Sequence, residues 1–198
     1  GVAVGILVPP FQVFDEQRHY LRSAGLASGQ LNCNQGRLLI DQKKIDLIKY
    51  ADLGRIAFRY EEKYDFQKNA SYVEPGGNEK TLVKVNLCST FWIGHLPGAV
   101  GILLGAAFFH NQMIGFFLGR FVNLLVCTWI TFWVLGRIKF GRQFLVVLAL
   151  LPNTLFLNAS FSYDGVVLVS VFGLMAMVIA SREKHLNFDQ RTLGLVIL

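Results

Sequence analysis

A chain of 198 residues that is 53% hydrophobic and 16% charged, with mean hydropathy +0.44, carries less charge than the roughly 25% of an ordinary soluble domain and more apolar content than its roughly 45–50%. The formal net charge is +6, yet the charges are segregated: residues 85–136 hold only Arg120, while 9–112 balance 12 Lys and Arg against 10 Asp and Glu. That distribution excludes an ordinary soluble domain and gives no basic nucleic-acid surface; it indicates a membrane protein whose excess charge sits in short loops.

The opening run, Gly1–Val8, stops at Pro9-Pro10. It is too short to cross a bilayer or to form a complete signal peptide, and is expected to be the outer end of a first span. The last residues, LGLVIL at 193–198, begin an apolar run that reads as the start of another span. The chain is therefore expected to be an N-terminal piece of a longer protein.

After the prolines, FDEQRHYLRSAGLASGQ predicts a helix from near Asp15 to Gly25 or Gly29, because acids suit a first turn and glycine suits a stop. DQKKIDLIKYADLGRIAFRY predicts an amphipathic helix with Ile45, Ile48, Leu53 and Ile56 near one face, lying on the membrane or covering the first helix. VEPGGNEK reads as a turn. Cys33 and Cys88 both fall in this region, where a disulfide is allowed outside the cell but not implied. Cys127 lies in an apolar run as a packing residue, and no Cys/His cluster suggests zinc.

Phe91–Phe109 contains His95, Pro97 and several glycines, and is expected to be a surface or partly inserted helix starting near Pro97. Spans are expected over 113–136, 143–158 and 165–181. The first is long enough for a core of about 30 Å; the other two are short and need flanking residues or bilayer thinning. Arg137, Lys139 and Arg142 follow the first, and Arg182, Lys184 and Arg191 follow the third. The positive-inside rule makes these loops cytoplasmic and leaves residues 9–112 and the loop NASFSYDG extracytoplasmic, in a plasma (inner) membrane. The expected fold is all-α, a multi-pass transmembrane helical bundle with a long helical first outer loop.

The residues that carry chemistry gather at the outer face. On a helix, Asp15 and Glu16 lie within one turn of His19, and Arg18 and Arg22 follow at the same spacing, so acid, imidazole and guanidinium are expected to share a narrow outer surface. One reading is a capped, acidic first turn; the other is a catalytic acid pair. Arg120, about one turn inside a span, either snorkels or binds an anionic lipid phosphate. Asp164 is either an N-cap or a third acid of the site. A Glu-x-x-His metal site lacks the second copy that bundles use. His95 and His110 are interfacial positions without an assigned role, and the NAS sequons at Asn69 and Asn158 carry little weight.

The string PPFQVFDEQRHYLRSAGLASG resembles the start of domain-of-unknown-function family 2142, bacterial and archaeal multi-pass membrane proteins with a PPF-x-x-x-DE-x-x-H pattern after the first span. LPGAVGILLG, LGRFVNLL and ALLPNTLFLNASFSYDG extend the resemblance along nearly the whole chain, with Phe14 where that family commonly has Pro. The FDE segment is also similar to the corresponding loop of protein O-mannosyltransferases. The resemblance implies a glycosyltransferase-C-like fold and an enzyme that moves a sugar from a polyprenyl-phosphate donor to a glycan or glycolipid acceptor of the cell envelope, with inversion. Asp15 then matches the catalytic acid and Glu16 its partner. His19, Arg120 and Asp164 are placed in substrate binding. No cofactor is implied, and a divalent cation is compatible with the pattern. The competing expectation is a non-catalytic protein that binds or translocates lipid-linked glycans. A small-molecule transporter fits less well, because it places polar residues mid-span.

Overall fold

The structure, a computed structural model, describes residues 1–51, 61, 65, 67, 72, 73, 75, 76 and 79–182. Leu53 and Ile56 of the amphipathic segment, positions 74, 77 and 78 of the VEPGGNEK turn, Asn69, Lys184, Arg191 and the run at 193–198 lie outside the described residues.

The first half wraps one polar helix. Helix α1 (Val2–Leu7) ends ahead of the prolines, and α2 (Glu16–Ala27) follows. Helix α2 runs through Gly25 because that glycine makes room for a neighbour: a Cβ there would lie 2.7 Å from Leu38 Cδ1. The stop comes at Gly29, whose φ of +80° is the left-handed geometry that glycine adopts cheaply.

The all-α expectation is corrected here. Strands β1 (Arg37–Asp41) and β2 (Lys80–Lys84) pair antiparallel, Arg37 opposite Lys84 and Asp41 opposite Lys80. In RLLID, Leu38 and Ile40 point into the core while Arg37 and Leu39 face out, the period-2 pattern of a half-buried strand. The Gln30 side chain completes the ladder, its amide donating to Leu39 O and its oxygen accepting from Leu39 N. The Cys33–Cys88 disulfide, 55 residues apart in sequence, ties the two ends of this region together. Helix α3 (Gln42–Tyr50) leaves β1 directly, with the Asp41 carboxylate accepting from Lys43 N at its start. Leu47 is buried, and Ile45 and Ile48 pack against the same core, so the described part of the amphipathic segment covers the domain.

Among the described residues, three helices are long and apolar enough to cross a membrane: Trp92–Phe109, Gln112–Leu135 and Asp164–Ser181. The first opens as a 3-10 turn (Trp92–His95), continues as α4 (Leu96–Leu104) with Pro97 in its first turn, and widens to a π segment (Gly105–Phe109). The stretch expected as a loop over 9–112 thus contains a helix with the length and apolarity of a span. Helix α5 (Gln112–Leu135) folds back on α4, with Asn111 accepting from Met113 N and Ile114 N as its cap. Helix α8 (Asp164–Arg182) packs beside α5. Phe108, Phe121, Trp129, Phe132, Leu174 and Val178 point outward, the arrangement that lipid favours and water does not.

The segment expected as one span over 143–158 is two short helices, α6 (Arg142–Ala149) and α7 (Pro152–Asn158). Pro152 has no N–H to donate and disfavours helical backbone at Leu151. The freed Leu148 carbonyl accepts from Thr154 Oγ1 at 2.8 Å instead. Together the two still travel back along α5, from Leu145, clustered with Val134 and Ile138, to Asn158, whose carbonyl meets Asn123.

The α4–α5 crossing depends on Gly101 and Gly105, one G-x-x-x-G pair, which lie against the backbone of a second, Gly115 and Gly119. A Cβ on Gly101 would stand 2.2 Å from Gly119 N, and one on Gly105 2.2 Å from Gly115 Cα. Backbone contact this close gives dispersion and weak C–H···O attraction where lipid offers no hydrophobic drive. Because the atoms met are backbone, Gly101→Ala must push the helices apart. We expect it to lower stability by about 3 kcal/mol, the upper part of the usual overpacking range, whereas Gly76→Ala, with nothing within 4 Å, leaves thermal unfolding in detergent unchanged.

Candidate functional site

Glu16 and Arg120 form the centre of the region. The Glu16 carboxylate accepts from Arg120 Nε at 2.8 Å through Oε1 and from Arg120 Nη2 at 2.7 Å through Oε2. Oε1 also accepts from Phe161 N at 3.2 Å. The remaining guanidinium hydrogens go to the carbonyls of Gly5, Val8 and Pro9. All five donors of an arginine are thus engaged by protein, with the Phe116 ring 4.7 Å from the guanidinium carbon. Both side chains are sealed, 0% and 1% exposed. Arg120 neither snorkels nor offers a free edge to a phosphate in this arrangement.

Asp15 stands next to this pair but faces elsewhere. Its backbone is left-handed, φ 56° and ψ 7°, an uncommon conformation outside glycine. That geometry replaces the extended backbone of a capping residue, and the side chain makes no capping bond. The capping reading is corrected on that point. The carboxylate instead pairs with Arg18 Nη1 at 2.9 Å, and the two side chains stay 31% and 51% exposed.

The expectation that acid, imidazole and guanidinium share an outer surface holds for Asp15 and Arg18 alone. Glu16, His19 and Arg22 turn inward and are buried. Each does so with a partner, as burial of charge requires: Glu16 on Arg120, Arg22 on the carbonyls of Gln30 and Leu31, and His19 on His95. His19 Nδ1 and His95 Nε2 lie 3.1 Å apart. The two rings and that of Tyr163 form a triangle with centroids 5.3, 5.3 and 5.6 Å apart. Gly94 permits it, since a Cβ there would press on Tyr163 Cβ at 3.1 Å.

Asp164 closes the cluster. It is the first residue of α8, one place inside the cap position, and accepts from Ser162 Oγ at 2.7 Å while its own N–H donates back to that oxygen. Burial pushes His19 below its ordinary 6.5, against the opposing pull of Asp164, Asp15 and Glu16, with Arg18 adding to the lowering. His19 is therefore a neutral imidazole at pH 7 in an acidic surrounding.

All five predicted site residues lie in this region: Glu16 is paired with Arg120 and buried, His19 is buried and acted on by Asp164 and Asp15, and Asp15 is partly exposed. His95, Tyr163, Ser162 and the Phe161 amide belong to the same assembly and were given no role from the residues alone. His95 carried a readable signal, since an ionisable side chain inside an apolar helix calls for a partner. His110 lies apart, exposed at the α4–α5 turn, and Asn158 is buried. Among the described residues, no group of three or more His, Cys, Asp or Glu is arranged to hold a metal ion.

A buried arginine on a carboxylate, with a partly exposed acid next to it, sits among helices long and apolar enough to cross a membrane. The sequence matches the family described as predicted membrane protein (DUF2142) over residues 1–198. The chain belongs to that family. Comparison with curated proteins and with solved structures finds no match. Within the family chain, the polar cluster is thus read on its own geometry.

Two outcomes follow. Arg120→Ala or Glu16→Ala strands a buried charge and is expected to lower stability by about 3–5 kcal/mol, while the paired Glu16→Gln/Arg120→Met change recovers part of that loss in a double-mutant cycle on thermal unfolding. For His19, the lowered pKa means the folded protein binds fewer protons than the unfolded chain below 6.5. Stability contributed by the neutral ring is complete above that pH and is lost as pH falls through the folded value. Thermal unfolding between pH 7.5 and 5 is expected to show this decline, and His19→Gln to flatten it.

Proposed function

We propose that the chain belongs to a membrane glycosyltransferase of glycosyltransferase-C-like architecture, moving a sugar from a polyprenyl-phosphate donor to a cell-envelope glycan or glycolipid on the outer face of the plasma (inner) membrane. The orientation rests on Arg137 and Lys139 between α5 and α6 and Arg142 at the start of α6, which favours that loop as cytoplasmic and the Asp15 end as external.

The observation that carries the proposal is the division between the two acids. Glu16 has both oxygens committed to Arg120, whereas Asp15 is partly exposed, opposed by a surface arginine alone, and held in a left-handed backbone. Strained backbone of this kind persists where surrounding structure over-determines it and concentrates at active sites. Asp15 is then the general base. It takes the proton from an acceptor hydroxyl as that oxygen bonds to the anomeric carbon, the carbon–oxygen bond to phosphate breaks, and polyprenyl phosphate leaves. A single displacement inverts the anomeric centre. Arg18, beside Asp15 and half-exposed, is the guanidinium placed to meet the charge developing on the leaving phosphate; Arg120 acts at one remove, by fixing the start of α2. His19 and Asp164 line the acceptor side.

The test is Asp15→Asn in the full-length protein, followed by sugar transfer from a polyprenyl-phosphate sugar in proteoliposomes. Removing a general base is expected to reduce turnover about 10²–10⁴-fold with membrane insertion and thermal unfolding unchanged. Normal transfer by the variant would exclude Asp15 as the base.

A further inference from the structure

The far end of α5 carries a groove and a cluster of positive charge side by side, both outside the chemistry proposed above. Leu135 lies 15 residues beyond Arg120 on α5, about 22 Å along the helix. There a groove of about 200 Å³ separates α5 from the α6–α7 segment. Thr131, Phe132 and Leu135 belong to one wall, and Val146, Ala149 and Leu150 to the other. The gap has a cause in the sequence. Helix α6 ends at Ala149 and α7 restarts at Pro152, so no continuous helix lies along α5 here. The Thr131 hydroxyl is already donated to Cys127 O at 2.8 Å, so an apolar chain meets no unsatisfied donor from it. Phe132 and Leu150, on opposite walls, are 76% and 63% exposed, and the groove therefore opens sideways to the lipid around helices of this length. Asn158 closes the end nearer Arg120, its Oδ1 lying against Gly165 of α8, where a Cβ would be 2.9 Å away.

The other end of the groove meets the charge. Arg142 lies on the groove face of α6, one turn before Val146, and Arg137 and Lys139 belong to the loop just ahead of it. Ile138 and Leu145 pin that loop, 2% and 0% exposed in a cluster with Val134, Phe172 and Ala176. With those two turned in, Arg137, Lys139 and Arg142 are exposed. The Arg137 guanidinium is held over the Trp133 ring, 4.4 Å from its centroid. A Cβ on Gly141 would lie 3.4 Å from Ile179 Cδ1, which puts the loop beside the last turn of α8, where both long helices end. No acidic residue occurs between Arg120 and Asp164, and among the described residues no carboxylate pairs with any of the three cations. Basic side chains at the end of a span attract anionic headgroups and bond phosphate oxygens. A headgroup seated there puts its own acyl chain at the mouth of the groove. We infer that this end of the molecule binds an anionic glycerophospholipid, its phosphate on Lys139 and Arg142 and one acyl chain in the groove between α5 and α6. Charge at the mouth and apolar walls behind it match the two halves of one molecule, which neither a free phosphate nor an uncharged lipid does. The inference stands whether or not the protein transfers sugar.

The test is native mass spectrometry of the full-length protein in detergent, titrated with dioleoyl phosphatidylglycerol or dioleoyl phosphatidylcholine. One phosphatidylglycerol is expected to bind about 10-fold more tightly than phosphatidylcholine. Lys139→Gln/Arg142→Gln is expected to weaken phosphatidylglycerol about 10- to 30-fold, roughly a factor of five for each basic residue, and to leave phosphatidylcholine unchanged. Ala149→Phe narrows the groove and is expected to weaken both lipids. Phosphatidylglycerol with a photoreactive diazirine in its acyl chain is expected to label the peptides around Thr131 and Leu150, and a folded Ala149→Phe protein to lose that label. Equal affinity for the two lipids, undiminished phosphatidylglycerol binding in Lys139→Gln/Arg142→Gln, or a label retained in folded Ala149→Phe overturns the proposal. So does a label confined to other helices, which is the result if a further helix of the full-length protein fills the groove. Displacement of the lipid by inorganic phosphate at equal concentration makes the site one for a free anion and likewise overturns it. If Ala149→Phe does not fold, the charge variant and the position of the label decide.

Discussion

Everything in the membrane-facing half is arranged around one buried ion pair. A carboxylate and a guanidinium removed from water lose several kcal/mol of hydration each, and recover it only when geometry is good and the leftover lone pairs and hydrogens are met. Here they are met: Arg120 gives two hydrogens to Glu16 and three to the carbonyls of Gly5, Val8 and Pro9, and Glu16 takes a further bond from Phe161 N. These partners come from the end of α1, the proline turn, the first residue of α2, the middle of α5 and the loop before α8. Residues 5–16, Arg120 and Phe161, three parts of the chain distant in sequence, are therefore located by a single pair of charges. The carbonyls of Gly5 and Val8 belong to a helix end, where they would otherwise lack donors, so the arginine also caps α1.

The pair can be sealed because small residues let the neighbouring helices close over it. Gly98 sits where a Cβ would strike the Phe161 ring and Ser23 Oγ, and Gly119, one residue before Arg120, sits where a Cβ would strike Phe161 Cζ. Phe161 in turn packs on Tyr20 and Phe116. The same backbone that supplies an N–H to Glu16 thus lays an aromatic ring into a slot cut by two glycines. Asn123 holds that loop from below, its amide donating to Ser160 O at 2.8 Å. Electrostatics and packing are not separable here: enlarging either glycine moves Phe161, and moving Phe161 withdraws a donor from the carboxylate.

Much of this was legible from composition and spacing. The apolar runs marked the long helices, and the isolated charge at Arg120 and the acids at 15, 16 and 164 marked the polar cluster. What could not be read was direction. Helical spacing grouped Glu16, His19 and Arg22 on one face, but whether that face meets water depends on partners more than 75 residues away in His95 and more than 100 in Arg120, and long-range pairing leaves no local trace. The span expected over 143–158 ran through Pro152, whose break is repaired by Thr154, a tertiary detail. The strand pair was missed for a related reason: five residues of alternating pattern are weak beside longer helical runs, and the partner strand lies across a 39-residue separation between Asp41 and Lys80. The two G-x-x-x-G pairs were readable and went unread.

The local arrangement also explains how neighbouring acids take opposite roles. Successive residues at a helix start point in different directions, and the left-handed backbone at Asp15 widens that divergence. Glu16, the first helical residue, enters the core and is neutralised by Arg120. Asp15, one residue earlier, is turned out toward Arg18. Were Asp15 in the extended backbone of an ordinary cap, its carboxylate would be occupied by the first-turn N–H groups. The anchoring of the next residue supplies the constraint that holds the unfavourable φ. Strain at the rim and saturation in the core are in that sense one design: the buried pair makes the exposed acid rigid without touching its charge.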